Sequence, residues 1–243
     1  MKKYIIITVI LLISGYLIAS YVYFNPKEER ATVCKEVKIV VTDSLDKHFL
    51  TQAEVIAILK KANKYPLNKK IKDINTDEIE KILKNNEIVN SAEVFHTVSG
   101  KIIINISQKM PILRIFTESG SYYVDMSGKI MPTIPGKAIY VPVASGNINK
   151  AYAVSKLYEF ALYLQKENFF NSLIEQIYVK SETDVEIIPR TGSHRILLGS
   201  LDDYADKLSR LQTFYEQVIP KMGWDKYSAI NLKYNNQIVC TKK

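Results

Sequence analysis

The pattern of apolar and polar positions opens with an uncharged run from Tyr4 to Phe24, preceded by Met1-Lys2-Lys3 and followed by Asn25-Pro26-Lys27. A helix rises about 1.5 Å per residue and roughly 20 apolar residues cross about 30 Å of hydrocarbon, so this run predicts a membrane-spanning anchor. Tyr4 at one end and Tyr21, Tyr23 and Phe24 at the other place aromatic rings at both water interfaces, and Asn25-Pro26 stops the helix. A cleaved secretory signal would have a shorter apolar core, and Leu17-Ile18-Ala19 is not the small-x-small site that a signal peptidase prefers. Ala31-Thr32-Val33 ahead of Cys34 is a poor lipobox. Lys2 and Lys3 stand against Lys27, Arg30, Lys35 and Lys38, so charge alone does not decide orientation. A short tail before a first apolar segment favours the cytoplasm, which places residues 25–243 outside it.

Beyond the run the pattern turns amphipathic. Val37 to Val41 reads as a short strand ended by Thr42-Asp43-Ser44. Thr51-Gln52-Ala53-Glu54 is a capping box, in which Thr51 and Glu54 satisfy each other's free backbone donors and start a helix. Val55, Ile58, Leu59 and Ala62 give it one apolar stripe, and Asn63-Lys64-Tyr65-Pro66 ends it. A second helix follows Ile74-Asn75, with a cap and acids in Thr76-Asp77-Glu78, an inner face of Ile79, Ile82 and Leu83, and Lys84 near its negative end. Ala92, Val94, His96 and Val98 then alternate on one strand face, Ser99-Gly100 turns, and Ile102, Ile104 and Ile106 alternate on the return. Three strands with one apolar face, covered by two amphipathic helices, make a self-sufficient core.

After Met110-Pro111 the chain becomes β-rich, with a meander of Ile112 to Thr117, Ser121 to Asp125 and Lys129 to Met131 joined at Ser119-Gly120 and Ser127-Gly128. A helix from about Lys150 to Gln165 directs Val154, Leu157, Ala161 and Leu164 inward. Strands Ile174 to Lys180, Val185 to Pro189 and His194 to Leu198 follow. A last long helix starts after Gly199, capped by Asp202 or Asp203, and lines Tyr204, Leu208, Leu211, Tyr215 and Val218 along one face up to Pro220. The chain closes on a hairpin: Ile230, Leu232 and Tyr234 alternate, Asn235-Asn236 turns, and Gln237 to Thr241 returns. The predicted class is α+β: a single N-terminal transmembrane helix, a β-α-α-β-β module, then a mixed β-sheet domain with flanking helices. Its parts are a tail (1–3), the span (4–24), a linker (25–34), the first module (35–110) and the second domain (111–243).

Composition changes this picture little. With 47% hydrophobic and 24% charged residues, the part beyond the anchor suits two small folded domains. The net charge of +8 comes mostly from scattered lysines without an arginine stripe or interleaved aromatics, which fits a basic surface near anionic lipid or wall polymer and not a nucleic-acid site. Cys34 and Cys240 lie near opposite ends of a two-domain chain, and a bridge needs Cα atoms within about 7 Å, so inert thiols are expected. His48, His96 and His194 form no pair at metal-ligand spacing; His96 reads as a strand residue, His48 and His194 as loop or edge residues. Ser44-Leu45-Asp46-Lys47 and Arg190-Thr191-Gly192 echo penicillin-binding enzymes, but the first precedes a helix instead of lying in one and the middle motif is missing. There is no glycine-rich phosphate loop and no Gly-x-Ser-x-Gly elbow. No catalytic, cofactor-binding or metal-binding residue is assigned. Of the sixteen tyrosines, Tyr234 stands at the terminal hairpin, where a strand edge can accept a partner strand. Tyr234, Asn236, Gln237, Ile238, Val239, Cys240 and Thr241 are the candidate edge, and proline at Ile238 or Val239 is expected to remove a donor from it.

Thr51-Gln52-Ala53-Glu54-Val55, Asn86 to Val94 and Lys101 to Ile106, in their order, resemble a POTRA domain. With Tyr122 to Pro132, Ile196-Leu197-Leu198-Gly199, Lys207-Leu208 and Ile230 to Tyr234, nearly the whole chain resembles the bacterial cell-division family FtsQ/DivIB. Gln108 to Ile112 and Met131-Pro132 look most like its Bacteroidetes branch. The resemblance implies a non-enzymatic, single-pass scaffold of the inner membrane at the division septum, with its bulk in the periplasm. It further implies a complex with FtsB- and FtsL-like proteins, linked to an FtsW/FtsI-like septal peptidoglycan synthase, with no cofactor, nucleic acid or small-molecule substrate. The tail of Met1 to Lys3 is too short for any family role assigned to a longer one. The alternative is a POTRA-bearing envelope transport or outer-membrane assembly helper that binds client polypeptides.

Overall fold

In this computed structural model the described residues are 2–24, 33–42, 50–137 and 139–243, with side chains in the first segment described at 7, 10–21 and 23. Ser44 to Lys47, His48 and linker residues 25–32 lie outside the described residues, as do the side chains of Tyr4 and Phe24. Helix α1 (Lys2–Phe24) is continuous over 23 residues, and its described apolar side chains, among them Leu12, Tyr16 and Tyr21, are exposed. Among the described residues no helix is long and apolar enough to cross a membrane. The chain folds as two units, 1–108 and 109–243, the first of which includes α1.

The first unit contains β1 (Glu36–Thr42), α2 (Gln52–Lys61), a 3-10 turn (Ile71–Asp73), α3 (Thr76–Lys84), β2 (Val89–His96) and β3 (Lys101–Gln108). The sheet order is β1-β3-β2, with β1 parallel and β2 antiparallel to the central β3. Register explains the burial: Ile39, Ile104 and Val94 align in one row across the three strands, and all are buried under Val55 and Leu59 of α2 and Ile79 and Leu83 of α3. His96 aligns with Ile102 one row further out, where it is exposed. The capping box forms at Thr51, whose side chain accepts from the Glu54 amide while Glu54 accepts from the Thr51 amide at 2.7 Å. The cap of α3 is Asn75 and not Thr76: its Oδ1 accepts from the Glu78 amide at 3.0 Å. Cys34 pairs through its backbone with Asn68 and Lys69 and is wholly buried; both cysteines are free thiols.

The second unit is a nine-stranded sheet in the order β12-β11-β10-β9-β8-β7-β4-β5-β6. Its strands are β4 (Pro111–Thr117), β5 (Gly120–Asp125), β6 (Ile130–Pro132), β7 (Val143–Gly146), β8 (Ile174–Ser181), β9 (Asp184–Pro189), β10 (Arg195–Gly199), β11 (Tyr227–Asn231) and β12 (Val239–Lys242). The helices are α4 (Lys150–Ala153), α5 (Lys156–Lys166), α6 (Asn168–Leu173), α7 (Tyr204–Gln217) and α8 (Ile219–Met222). Leu157, Phe160 and Leu164 of α5 and Leu208 and Leu211 of α7 share one core with Ile115, Ile177, Ile187, Ile196 and Ile230 of the strands.

Four sequence expectations change in this unit. Strand β7, unanticipated, joins the meander to the remaining strands by pairing in parallel with β4 on one side and β8 on the other. The helix expected from Lys150 breaks at Ser155 (φ −118°, ψ −101°), whose hydroxyl donates to the Ala151 carbonyl at 2.7 Å. Asp203 occupies the N-cap position of α7, as expected, but with a left-handed backbone and no side-chain cap bond, and the Asp202 carboxylate accepts from Lys156 at 2.8 Å. Pro220 does not end the helical region but sits in the first turn of α8, where its missing N–H is harmless.

Gly146 leaves β7 with φ +107°, and a Cβ there would lie 2.2 Å from the Val179 carbonyl oxygen. Gly146→Ala is therefore expected to destabilise the second unit more than Thr51→Ala destabilises the first, the latter costing about 1 kcal/mol through its lost cap. Urea unfolding followed by hydrogen exchange in each unit measures both.

Candidate functional site

The terminal hairpin is built by β11, β12 and the connection 232–238. Strand β11 ends at Asn231, one turn earlier than the alternation of Ile230, Leu232 and Tyr234 suggests. Leu232 is wholly buried, but Tyr234 stands in the connection and is 50% exposed. Asn236 turns the chain with φ 59°, a left-handed conformation that asparagine tolerates better than most residues. Ile238 and Cys240 pack on the core, while Val239 and Thr241 face solvent. Burial raises the Cys240 thiol above its ordinary pKa, which keeps it protonated and unreactive.

The direction of each backbone group follows from the ladder. Leu232 N–H donates to the Leu197 carbonyl of β10 at 2.9 Å, and Leu197 aligns with Asn231 in a parallel pair. In such a pair Ile230 and Leu232 turn their polar groups toward β10, so Ala229 and Asn231 turn theirs toward β12. Val239 aligns with Asn231 and Thr241 with Ala229, so both point inward, whereas Cys240, opposite Ile230, points its N–H and C=O away from the sheet. Within β12 the outward donor that this alternation fixes is that of Cys240. Proline at Val239 would break the inner ladder instead of the free edge, which corrects the expectation for that position.

Among the described residues the other three edges differ from β12: two carry a side-chain bond to the strand backbone and the third is short. On β2 the Val94 amide donates to Glu80 Oε1 at 2.9 Å, and Lys84 holds the second Glu80 oxygen at 2.9 Å. The Val94 amide, followed by Lys84, holds the Glu80 carboxyl below its ordinary pKa. On β1 the Ile39 carbonyl accepts from Gln52 Nε2 at 3.0 Å. Strand β6 is three residues long and ends in Pro132.

A residue missed in the sequence reading organises the hairpin. Arg210 of α7 donates through Nη1 to the carbonyls of Tyr234 and Gln237, each at 2.9 Å, and through Nη2 to that of Leu232 at 3.4 Å. Its Nε donates to Asp206 Oδ2 at 3.1 Å. The i, i+4 spacing of Asp206 and Arg210 is visible in sequence, but it reads as an ordinary surface pair.

His194 lies in the connection immediately before β10, as the loop or edge reading expects, but it is buried. It is 2% exposed, its Nε2 lies 2.7 Å from the Tyr215 hydroxyl, and its ring stacks near Trp224. Burial lowers its pKa and Lys243 adds to that, while the Trp224 backbone and Asp225 oppose it. Among the described residues no group of three or more His, Cys, Asp or Glu could hold a metal ion. Glu186 is 3% exposed and is held between Lys180 and Arg195, a structural ion cluster on the sheet face opposite Val185 and Ile187.

A three-stranded α+β unit is thus followed by a nine-stranded mixed sheet with β12 as its end strand. The sequence model of FtsQ/DivIB, C-terminal related, matches residues 110–241, over half of the chain, and that of the POTRA-like domain matches 32–107. The chain belongs to the FtsQ/DivIB family. Among solved structures, the major extracytoplasmic domain of the trans isomer of the bacterial cell division protein DivIB from Geobacillus stearothermophilus aligns at 14% identity and TM-score 0.30, covering 46% of this chain and 96% of that one. Comparison with curated proteins returns no match.

The depressed pKa of His194 predicts a pH dependence. The unfolded chain binds a proton below about pH 6.5 that the folded protein resists, so stability from this group is complete above that pH and declines as pH falls below it. Trp224, the single tryptophan, lies against His194 and reports unfolding by fluorescence. His194→Gln is expected to reduce the stability difference between about pH 7.5 and 5.5; an unchanged difference would assign it to other groups.

Proposed function

We propose that this protein is a membrane-anchored cell-division scaffold that binds a partner strand along β12 outside the cytoplasm. The observation that carries the reading is the outward-facing edge of β12 in a chain of the FtsQ/DivIB family: the strand ends the nine-stranded sheet, and its ladder turns the backbone of Cys240 away from β11. Strand addition there draws affinity from backbone hydrogen bonds and selectivity from the exposed side chains of Tyr234, Val239 and Thr241. Family membership supports FtsB- and FtsL-like proteins as the partners, and through them recruitment and regulation of an FtsW/FtsI-like septal synthase. The uncharged run Tyr4 to Phe24 within the helical segment Lys2–Phe24 supports single-pass anchoring in the inner membrane, N-terminus inside. An anchor confines scaffold and partners to one surface and raises their effective concentration. The role is non-enzymatic.

Cys240→Pro in the full-length chain is expected to abolish co-purification of the FtsB-like partner, while Cys240→Ala retains it. Binding that survives Cys240→Pro would refute the edge assignment. A fluorescent fusion is expected to form a midcell band; uniform envelope signal would favour the transport-helper alternative. Turnover of purified peptidoglycan by residues 25–243 would overturn the non-enzymatic role.

A further inference from the structure

We infer that Arg210 is the positioning residue of the docking edge: it holds the connection 232–238 to α7 and so sets the pose in which β12 is offered to a partner. The inference rests on the reading of β12 as the docking strand. Between the last inward pair, Asn231 with Val239, and the turn at Asn236, the connection has no ladder of its own. Its carbonyls at Leu232, Tyr234 and Gln237 all converge on one guanidinium. Arginine suits this task because its planar fork carries five donors in fixed directions, so one side chain can hold carbonyls on both arms of a turn at once. Asp206 takes the Nε donor and fixes the plane of the fork. The Arg210 side chain is 18% exposed, so these bonds are partly shielded from water, whereas Asp206 is 70% exposed and acts as an orienting group.

The consequence for binding is preorganisation. A flexible connection would have to be ordered when the partner strand arrives, at a cost in conformational entropy that falls on the binding step. With the connection already held, the Tyr234 backbone and the outward amide of Cys240 stand in one arrangement beforehand. Lysine keeps the charge but cannot span three carbonyls with fixed geometry, so Arg210→Lys separates geometry from electrostatics.

The test uses the full-length chain in nanodiscs and the extracytoplasmic segment of the FtsB-like protein from the same organism as probe. Hydrogen exchange of residues 233–240 is expected to accelerate about tenfold or more in Arg210→Lys and Arg210→Gln, with Trp224 unfolding and exchange in the first unit unchanged. Probe affinity is expected to fall about tenfold in Arg210→Lys, and Asp206→Asn to give a smaller loss in both readouts. Unchanged exchange in Arg210→Lys overturns the clamp whatever the probe does. Accelerated exchange with unchanged probe affinity overturns the positioning role. Accelerated exchange in a protein whose wild type fails to bind the probe, or binds it equally well as Cys240→Pro, upholds the clamp and removes the edge reading beneath it.

Discussion

A strand at the border of a sheet carries backbone donors and acceptors that its neighbours cannot satisfy, and each must meet a side chain, water or another chain. Among the described residues two open sheets give four such borders. Glu80 bonds to β2, Gln52 engages β1, and Pro132 ends the short β6. Strand β12 is treated differently, for its connection is braced from behind by Arg210 while Cys240 turns its backbone outward.

Helix α7 links that border to the core. Leu208, Leu211 and Tyr215 of α7 are buried with the strands, while Arg210, on its flank, reaches the hairpin. Lys207, also nearly buried, donates to the Ser200 carbonyl at 2.9 Å, and burial lowers its pKa. Its ammonium ties the start of the helix to the turn after β10, as Arg210 ties its middle to the connection before β12. The packed face of α7 thus serves as a base from which two basic side chains hold backbone carbonyls of the connections beside β10 and β12. Held backbone at the end of a sheet suits a protein that works by presenting a surface.

Much of the first unit was legible because its signals are local. The Thr51–Glu54 box and the two-residue alternation of Ile102, Ile104 and Ile106 depend on neighbours within a turn, and each appears where the pattern places it. The second unit departs wherever a distant residue competes. Asp202 gives its carboxylate to Lys156 instead of to the helix start, and Ser155 breaks a periodic pattern by bonding back to Ala151. Strand β7 carries no alternation of its own and exists because β4 and β8 both pair with it. The candidate edge was legible as a hairpin, but not the direction of its amides, which turns on the Leu232–Leu197 bond to a third strand.

What the sequence by itself determined are the properties that add up along the chain: an uncharged N-terminal run, helices and strands of given period, and an order of elements resembling a POTRA unit before a β domain. What only the tertiary structure decided are the properties that need two distant segments at once. These are which borders carry a side-chain bond, which amide of β12 faces outward, that His194 is enclosed by Tyr215 and Trp224, and that Arg210 braces the hairpin. The physical reason is that a hydrogen bond between residues far apart in sequence depends on register and approach, which side-chain periodicity does not encode.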